Sequence, residues 1–444
     1  MDKILADKVE GVIGSFDKRQ KRALDAILDD SLTEDGFVFP IVDGPPGTGK
    51  TTVGAAAAAE YLKENPRGQV LYTCYTHFAA EQAKRTLEEK FHFQATNVIR
   101  LTPGYRKDWD RGVIGCKADL SDLSRNELRM LKECTVLLCT LYGSARAKEA
   151  RRAGCKMIVD EFSQIDPAIF FMTLNKVKTI NPSAFALLGD PLQLPVVTTQ
   201  SILRPNIGQF IRARKPHTPH QLILQHRMHS DICAGINAMR REAFFTHEME
   251  TGDDVKCRDM EGLRYEWKKA EVEPKYRDIL DPVHSFVIVN TDTLDGAEEQ
   301  TESGSTKYTS EAKLAAELAE NAYRSYVKEG GEHLKPMILS PYNAQIYEIS
   351  TVLKSHIQDC CNTIYRSQGR EYPLVIISFV RKNPQGFIGF LEDLRLRAQV
   401  YVACSRAQAK LIVLLSRKTF IGRGHLIFEA LCNTREAYKE DAPK

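Results

Sequence analysis

Residues 44–51 read GPPGTGKT, a segment that combines glycines with a lysine and a hydroxyl side chain. The spacing of Gly44, Gly49, Lys50 and Thr51 fits the phosphate-binding pattern G-x-x-x-x-G-K-[ST]. Glycines let backbone N–H groups turn toward phosphate oxygens, and the start of the following helix adds partial positive charge. We expect Lys50 to reach the β- and γ-phosphates and Thr51 to ligate Mg²⁺. The remaining members of this predicted nucleotide site are Pro45, Pro46, Gly47, Thr48 and Thr52.

Two acidic residues follow the apolar run Met157–Val159. A phosphate-binding loop needs a carboxylate at the end of a neighbouring strand to hold the metal ion. We expect Asp160 to hold Mg²⁺ through water and Glu161 to polarise the attacking water. Asp-Glu pairs usually face solvent, but this pair ends a run with the character of a buried strand. Its position roughly a hundred residues after the loop leaves room for further β-α units.

A third segment, Gly189–Leu194, reads GDPLQL and also follows an apolar run. Gln193 is predicted to hydrogen-bond the γ-phosphate or the attacking water. The same residues are equally compatible with a simple turn formed by glycine and proline. The segment alone does not separate a phosphate sensor from a turn.

These segments need a scaffold that places several strand ends side by side. Short apolar runs alternate with helical stretches, which is typical of a parallel sheet covered on both faces. The first set has predicted strands at Val38–Val42, Val70–Thr73, Val136–Cys139, Met157–Val159 and Ala184–Leu188, and helices at Lys18–Asp29, Thr51–Glu64 and Phe78–Lys90. The second set has predicted strands at Ser285–Asn290, Pro336–Ser340, Leu374–Phe379 and Leu411–Ser416, and helices at Ser310–Lys328 and Ala344–Ser355. The sequence therefore predicts two α/β lobes.

Composition agrees with a folded protein of more than one domain. The chain has 444 residues, of which 43% are hydrophobic and 27% are charged. Its net charge of +3 is small, so any surface for nucleic acid must be locally basic. The start of the chain lacks a basic stretch followed by an apolar core, and no run reaches the roughly 18 apolar residues of a membrane span. We expect no membrane association and a cytoplasmic location, with a nuclear one as the alternative.

Further motifs occur in a fixed order along nearly the whole chain. They are Gln20 in FDKRQ, GPPGTGKT, Tyr75–Gln82, Leu138–Thr140, Asp160-Glu161, Gly189–Leu194, Leu224–His229, Gly304–Ala312, Ser340–Gln345, Gln368–Glu371 and Val402–Ala407. This series resembles that of superfamily 1 helicases, most closely the up-frameshift-like branch that includes the nonsense-mediated decay helicase. The resemblance implies two tandem RecA-like domains with parallel sheets, at residues 1–215 and 216–444, with ATP in the cleft between them.

The resemblance also assigns roles in the nucleotide site. Gln20 matches the glutamine that reads adenine. Arg227 and Arg406 match arginines that reach the γ-phosphate, where guanidinium groups spread the charge of the transferring phosphoryl group. Glu371 matches a residue that accepts from the ribose or positions the arginines. His226 stands where the family commonly has a tyrosine that stacks on adenine, so base preference is expected to be looser or pH-dependent.

Strand contacts are implied for a second group of residues: Thr76, His77, Thr140, Pro341 and Tyr342. Relatives often carry Ser-Asn where this chain has Thr76 and His77, which leaves the backbone contacts there open. Residues 97–132 mix aromatic and basic residues, such as Tyr105, Trp109 and Arg111, and are either an accessory contact for a single strand or a packed loop. Within the first lobe, this is the stretch of sequence long enough to contain an accessory element.

Three functions were compared with this pattern. The main hypothesis is an ATP- and Mg²⁺-dependent helicase or translocase that moves 5′ to 3′ on single-stranded RNA or DNA. The alternative is a nucleic-acid-stimulated ATPase that acts with protein partners as a clamp on ribonucleoproteins and unwinds little. A P-loop ATPase or nucleotide kinase of another kind would leave the arginine motifs of the second lobe unexplained.

Overall fold

The computed structural model describes residues 3–29, 40–103, 107–108, 111–116, 123–144, 155–176, 185–198, 200–214, 218–393, 395–421 and 423–443. The chain divides into two units, Met1–Pro191 with Pro195–Ile223, and Leu192–Leu194 with Leu224–Lys444. The predicted boundary at 215/216 lies before this division, because His220–Gln221 pairs with the sheet of the first unit. None of the helices in the described ranges is both long and apolar enough to span a bilayer.

A nine-stranded sheet forms the centre of the first unit. Its strands are β1 (Ile41–Asp43), β2 (Val70–Cys74), β3 (Val98–Pro103), β4 (Lys107–Asp108), β5 (Val113–Cys116), β6 (Val136–Thr140), β7 (Lys156–Asp160), β8 (Phe185–Gly189) and β9 (His220–Gln221). Their order is β4-β5-β3-β6-β2-β7-β8-β1-β9, and the pairs are parallel except β4 with β5. Strands β2, β6, β7 and β8 are buried at every position, as expected of a parallel sheet covered on both faces.

Seven helices in the described ranges accompany this sheet. They are α1 (Lys3–Gly14), α2 (Lys18–Leu28), α3 (Lys50–Glu64), α4 (His77–Glu89), α5 (Arg125–Glu133), α6 (Pro167–Lys176) and α7 (Ile207–Arg214). The alanines at 55–59 in α3 are fully buried, since small side chains let the helix approach the sheet closely. Because parallel strands end at one edge, the residues after β1, β2, β6, β7 and β8 are neighbours there.

The second unit has a six-stranded, wholly parallel sheet and three small two-stranded sheets. Its strands are β10 (Leu224–Gln225), β11 (Glu250–Thr251), β12 (Tyr265–Trp267), β13 (Phe286–Asn290), β14 (Glu299–Gln300), β15 (Thr306–Lys307), β16 (Tyr326–Lys328), β17 (Met337–Ser340), β18 (Cys361–Thr363), β19 (Tyr372–Ser378), β20 (Ala407–Leu415) and β21 (Tyr438–Asp441). The large sheet has the order β18-β17-β19-β20-β13-β21. Its helices are α8 (Ser230–Glu242), α9 (Arg277–Leu280), α10 (Thr309–Ser325), α11 (Asn343–Val352), α12 (Ala398–Cys404), α13 (Arg417–Phe420) and α14 (Leu426–Asn433).

The predicted strands and helices recur in the structure with ends that differ by a few residues, apart from the parts that lie outside the described residues. The helix predicted at 310–328 ends at Ser325, because the next three residues are extended and pair with β12. The described part of the region 97–132 contributes β3, β4 and β5 to the first sheet and most of helix α5. Tyr105 and Trp109, considered for strand contact, lie outside the described residues.

A buried carboxyl group holds the carboxyl end of β19 in an unusual backbone conformation. Glu311 on α10 is fully buried and accepts hydrogen bonds from the Thr291 hydroxyl, the Ser378 hydroxyl and the Val380 N–H, at 3.1, 2.7 and 2.8 Å. Val380 has φ +72°, which is a strained region for a β-branched residue. Burial raises the pKa of Glu311 to about 7, and the three hydrogen bonds oppose that rise. Glu311 therefore fixes the chain where β19 leaves the sheet.

Replacing Glu311 with glutamine is expected to change the pH dependence of stability. Because the pKa in the folded protein is raised from 4.5 to about 7, the contribution of this group is fully present below pH 4.5 and is lost as pH rises through 7. The loss is about 3 kcal/mol at 1.36 kcal/mol per pKa unit. Glu311→Gln has no such titration, so it should lose less stability than the wild type between pH 5 and 8 in urea unfolding. Glu332→Gln, at an exposed carboxyl, is the control, and parallel pH profiles for wild type and Glu311→Gln would contradict the prediction.

Candidate nucleotide site and nucleic-acid groove

The glycine-rich loop lies between β1 and α3, and its glycines have the backbone that the motif requires. Gly47 and Gly49 have φ of +81° and +82°, a region that favours glycine. A Cβ at Gly44 would lie 2.6 Å from both Lys50 Cγ and Thr48 Oγ1. The Lys50 ammonium donates to the carbonyl oxygens of Gly44 and Pro45. The loop thus closes around the lysine side chain that is predicted to bind phosphate.

Asp160 is positioned by three hydrogen-bond donors at the carboxyl end of β7. Thr51 Oγ1 and the Tyr72 hydroxyl donate to Asp160 Oδ2 at 2.9 and 3.0 Å, and the Glu161 N–H donates to Oδ1 at 2.9 Å. Glu161 itself has φ +61°, a left-handed conformation that turns the chain away from the strand. The two predicted metal ligands, Thr51 and Asp160, are therefore adjacent. Such oxygen ligands suit Mg²⁺, which commonly binds one or two protein oxygens together with substrate phosphates.

Tyr72 was not predicted to belong to the site. In the sequence it is simply one of several residues in the apolar run of a predicted strand. Its position in β2 follows from the parallel register that pairs Tyr72 with Ile158, two residues before Asp160. Burial, reinforced by the Asp160 charge, raises the pKa of Tyr72 well above its ordinary value. The phenol therefore stays protonated and acts as a donor.

An ion pair below the loop was also missed. Arg212 on α7 contacts Asp43, the last residue of β1, with 2.5 Å between Nη2 and Oδ1. Burial raises the pKa of Asp43, and the Arg212 guanidinium opposes that rise. The two residues are far apart in sequence, so only the fold brings them together. The negative charge of Asp43, directly before the phosphate-binding loop, is therefore neutralised by Arg212.

Gln20 contacts the loop through its amide group. Its Nε2 donates to the Thr48 carbonyl at 3.2 Å, while its Oε1 accepts from the Asp17 N–H at 3.1 Å in a capping box at the start of α2. A Cβ at Gly49 would lie 2.8 Å from Nε2. Thr52 Oγ1 instead accepts from Lys90 Nζ at 3.2 Å. The structure thus brings Gln20 to the loop.

The predicted residues of the second unit gather at one place, near the amino ends of β19 and β20. Arg227 Nε lies 2.6 Å from Glu371 Oε2, and Arg227 Nη1 donates to the Ser405 carbonyl at 3.2 Å. Arg406 is 2% exposed and donates to the carbonyls of Val402 and Arg370 and to the Ser405 hydroxyl. The side chain of Arg227 is therefore oriented by an ion pair, whereas Arg406 is built into the protein interior.

His226 and Gln193 complete the nucleotide predictions of this unit. His226 has an exposed ring whose Nδ1 lies 2.7 Å from Asp254 Oδ1. Gln193 is largely buried in the short segment Leu192–Leu194, whose Leu194 belongs to the core of the second unit. The structure therefore assigns the segment that contains Gln193 to the second unit, although its neighbours on both sides belong to the first.

A groove of about 400 Å³ in the first unit brings together three predicted strand contacts. Its lining comprises Tyr75, Thr76, His77, Leu101, Pro103, Thr140, Tyr142 and Gly143. Thr76 caps α4 by accepting from the Ala79 N–H, and Thr140 Oγ1 accepts from the Gly143 N–H, both at 3.1 Å. Tyr142 is 60% exposed. The groove lies after β2 and β6, along the same sheet edge as the phosphate-binding loop.

Two groove tyrosines were not singled out from the sequence. Tyr75 directly precedes Thr76, and Tyr142 follows Thr140 by two positions. Their closeness in sequence to the predicted strand contacts was the one signal that could have identified them. Exposure of Tyr142 was not visible in the sequence, since aromatic residues after a buried strand are usually part of the core.

The segment after β17 differs from expectation at Tyr342. Its side chain is only 5% exposed, its ring centroid lies 5.0 Å from that of Phe390, and its hydroxyl donates to the Ile388 carbonyl at 3.4 Å. The prediction that Tyr342 contacts a strand is corrected accordingly for its side chain, because a later loop packs over the ring. Pro341 is partly exposed and Asn343 is exposed in the same segment.

Comparisons with known proteins agree with the motif order. Two family models, each described as "AAA domain", match residues 15–230 and 206–418. The chain is 28% identical over 429 residues to "DNA replication ATP-dependent helicase/nuclease DNA2" of Homo sapiens, covering 92% of this chain and 38% of that protein. The corresponding protein of Schizosaccharomyces pombe is 26% identical over 400 residues, covering 86% and 27%.

A third relative comes from a differently named group. "Regulator of nonsense transcripts 1 homolog" of Neurospora crassa is 24% identical over 420 residues, covering 84% of this chain and 35% of that protein. The chain thus spans well under half the length of these curated relatives. The matches cover 84–92% of this chain and so extend across both units. These matches support a superfamily 1 helicase of the up-frameshift-like branch.

Proposed function

We propose that the chain is an ATP- and Mg²⁺-dependent helicase or translocase that moves 5′ to 3′ on single-stranded nucleic acid. One observation carries this proposal: a single edge of the first sheet bears both the phosphate-binding loop, with Asp160 beside Thr51, and the groove formed by Thr76, His77 and Thr140. Nucleotide and strand would then bind to adjacent strand ends of one rigid sheet. Hydrolysis in the nucleotide site is therefore positioned to change how tightly the neighbouring groove holds the strand.

In the nucleotide site, Lys50 contacts the β- and γ-phosphates, and Thr51 with Asp160 holds Mg²⁺. When bound, Mg²⁺ neutralises charge on the phosphate oxygens. Glu161 orients the attacking water, and Gln193 senses the γ-phosphate. Gln20 lies beside the loop, where its amide donates to the Thr48 carbonyl. From this position the same amide hydrogen-bonds the base of the nucleotide, as the family resemblance implies.

The second unit supplies positive charge to the γ-phosphate. Arg227 acts directly, since Glu371 and the Ser405 carbonyl fix its guanidinium while leaving part of it accessible. Arg406 is committed to main-chain acceptors on two neighbouring segments, so it also holds the loop after α12 in place. His226 stacks on the base, and Asp254 contacts its Nδ1 at 2.7 Å.

The strand binds along the groove of the first unit, and Pro341 in the second unit is a further strand contact. Backbone phosphates contact Thr76, His77 and Thr140, while Tyr75 and Tyr142 offer aromatic faces to bases. Two of the relatives are named as DNA replication helicases and one as a regulator of nonsense transcripts. DNA is therefore the first strand to test, with RNA as the matched comparison.

The test is ATP hydrolysis with matched DNA and RNA homopolymers, followed by unwinding of duplexes with a 5′ or a 3′ tail. We expect hydrolysis to rise with single strands and displacement to need a 5′ tail. Displacement from 3′ tails alone would reverse the proposed polarity. Strand-stimulated hydrolysis without displacement on either tail would support the clamp, and a lack of any stimulation would exclude both functions.

The groove gives a separate prediction at Tyr142. Tyr142→Ala is expected to weaken the affinity for single strands about tenfold, because an aromatic face on a strand contributes roughly 1–3 kcal/mol per base. Tyr142→Phe keeps the ring and should bind like the wild type. Fluorescence anisotropy with a labelled oligonucleotide measures both. Equal affinities for wild type and Tyr142→Ala would mean that the strand does not follow this groove.

A further inference from the structure

An exposed phenylalanine stands on a loop at the carboxyl edge of the second sheet. The loop, residues 381–390, follows β19 and packs over the Tyr342 ring through Ile388 and Phe390. Pro341 and Asn343 follow β17, the neighbour of β19, so their segment and the loop share one edge. Phe387 in this loop is 53% exposed, whereas its neighbour Ile388 is fully buried. An aromatic ring thus projects beside the segment that is proposed to follow the strand.

The backbone around Phe387 is fixed by a single asparagine. Asn383 Oδ1 accepts from the Phe387 N–H at 2.9 Å, and Asn383 Nδ2 donates to the Phe387 carbonyl at 2.8 Å. The backbone of Asn383 is itself tied to the Thr419 hydroxyl, through its N–H at 2.9 Å and its carbonyl at 3.0 Å. The preceding Gly386 carbonyl contacts the His425 ring at 3.2 Å. The ring of Phe387 is therefore presented by a backbone with little freedom, which lowers the entropy cost of binding to it.

One side of the ring is backed by a buried cation. The Arg381 guanidinium lies 5.1 Å from the centroid of the Phe387 ring. Arg381 is itself paired with Glu298 at 2.6 Å, with side chains only 10% and 15% exposed. The Phe387 side chain nevertheless remains 53% exposed, so much of the ring is accessible to a planar aromatic partner.

Exposed basic side chains lie on segments that neighbour this loop. Arg423 packs against Gly386, where a Cβ would lie 2.8 Å from Arg423 Cδ. Arg417 and Lys418 follow β20, the other neighbour of β19, and are exposed at the same edge. A flat ring beside exposed cations matches the chemistry of a nucleotide in a single strand, which offers an aromatic base and an anionic phosphate.

We propose that Phe387 is a stacking platform for one base of the bound strand, with Arg417, Lys418 and Arg423 attracting the neighbouring phosphates. The inference rests on the proposed function and extends it by adding a base contact in the second unit. In the wild type this unit then holds the strand by a base as well as by its backbone. Stacking is tolerant of sequence, because every base has an aromatic face.

The experiment compares two strands that differ only in their bases. Affinity is measured by fluorescence anisotropy with an oligothymidylate and with an abasic phosphodiester strand of equal length. Phe387→Ala should weaken oligothymidylate binding about tenfold and leave abasic binding unchanged. Phe387→Trp should restore the affinity for oligothymidylate. Phe245→Ala, at another exposed phenylalanine, is the matched control and should bind both strands like the wild type.

The outcomes separate this inference from the proposed function. If the wild type binds oligothymidylate and Phe387→Ala binds it equally well, the platform is excluded while the helicase proposal stands. Equal losses on both strands would also exclude it, because the change would then act on the loop and not on a base. If the wild type binds neither strand, the proposed function and the platform fail together. An unchanged midpoint temperature of thermal unfolding for Phe387→Ala would show that a selective loss of affinity for oligothymidylate does not come from unfolding of the variant.

Discussion

Lys50→Ala is expected to lower strand-stimulated ATP hydrolysis by about 10³-fold. The Lys50 ammonium lies at the centre of the loop, where it donates to the carbonyls of Gly44 and Pro45. The same charge is the one placed to stabilise negative charge that develops on the transferring phosphoryl group, and loss of such a group commonly costs 10²- to 10³-fold or more. Alanine has no donor with which to replace it. The measurement is the hydrolysis rate at saturating single-stranded DNA.

A matched control exists on the same helix. Lys63 lies in the last turn of α3 and forms an ion pair with Glu10 at 2.9 Å, away from the loop. Lys63→Ala removes the same kind of side chain and should keep the wild-type rate. Hydrolysis by Lys50→Ala at the rate of the control would show that the nucleotide site is assigned to the wrong loop.

The two arginines of the second unit are expected to fail in different ways. Arg227→Ala should lower kcat by about 10³-fold, the lower range for an arginine that stabilises a transferring phosphoryl group. Its stability should change by less than about 0.5 kcal/mol, because the partner Glu371 is half exposed and can be hydrated once unpaired. Arg406→Ala should lose activity and also about 2–4 kcal/mol of stability, since it removes a buried cation that satisfies several acceptors.

Steady-state kinetics and urea unfolding on both variants test this contrast. Arg241→Ala, which breaks exposed pairs with Glu242 and Glu248, is the control for loss of a surface arginine. A fall in stability of Arg227→Ala comparable to that of Arg406→Ala would assign both residues to structure. Wild-type kcat in Arg227→Ala would remove this residue from the nucleotide site.

Local patterns were sufficient for the parts of the site that one strand and one turn can define. The GPPGTGKT loop carries its own glycines and its own helix start, so its conformation follows from adjacent residues. Thr76, His77 and Thr140 were predicted as strand contacts from the family resemblance, and they line one groove because the parallel strands β2 and β6 end at a common edge. Alternation of apolar runs and helical stretches likewise located most strands of both sheets, since buried parallel strands are apolar throughout.

The parts that escaped prediction depend on contacts between distant segments. Tyr72 meets Asp160 only through the register of β2 with β7, and Arg212 meets Asp43 only after α7 has packed. Tyr342 was predicted as a strand contact, and nothing in its own segment shows that the loop at 381–390 packs over its ring. Tyr142 was not singled out, because its exposure depends on packing that its own segment does not reveal.

The hydrogen bond from Tyr72 to Asp160 depends on a glycine in the neighbouring helix α3. A Cβ at Gly54 would lie 2.6 Å from the Tyr72 hydroxyl, so the glycine in α3 makes room for the phenol. With Oδ2 held by Thr51 and Tyr72 and Oδ1 held by the Glu161 N–H, the carboxylate of Asp160 is fixed in its rotation. The space beside Gly54 is thus what lets the phenol reach the carboxylate, so a side chain at this position of α3 would remove one of the three hydrogen bonds that orient Asp160.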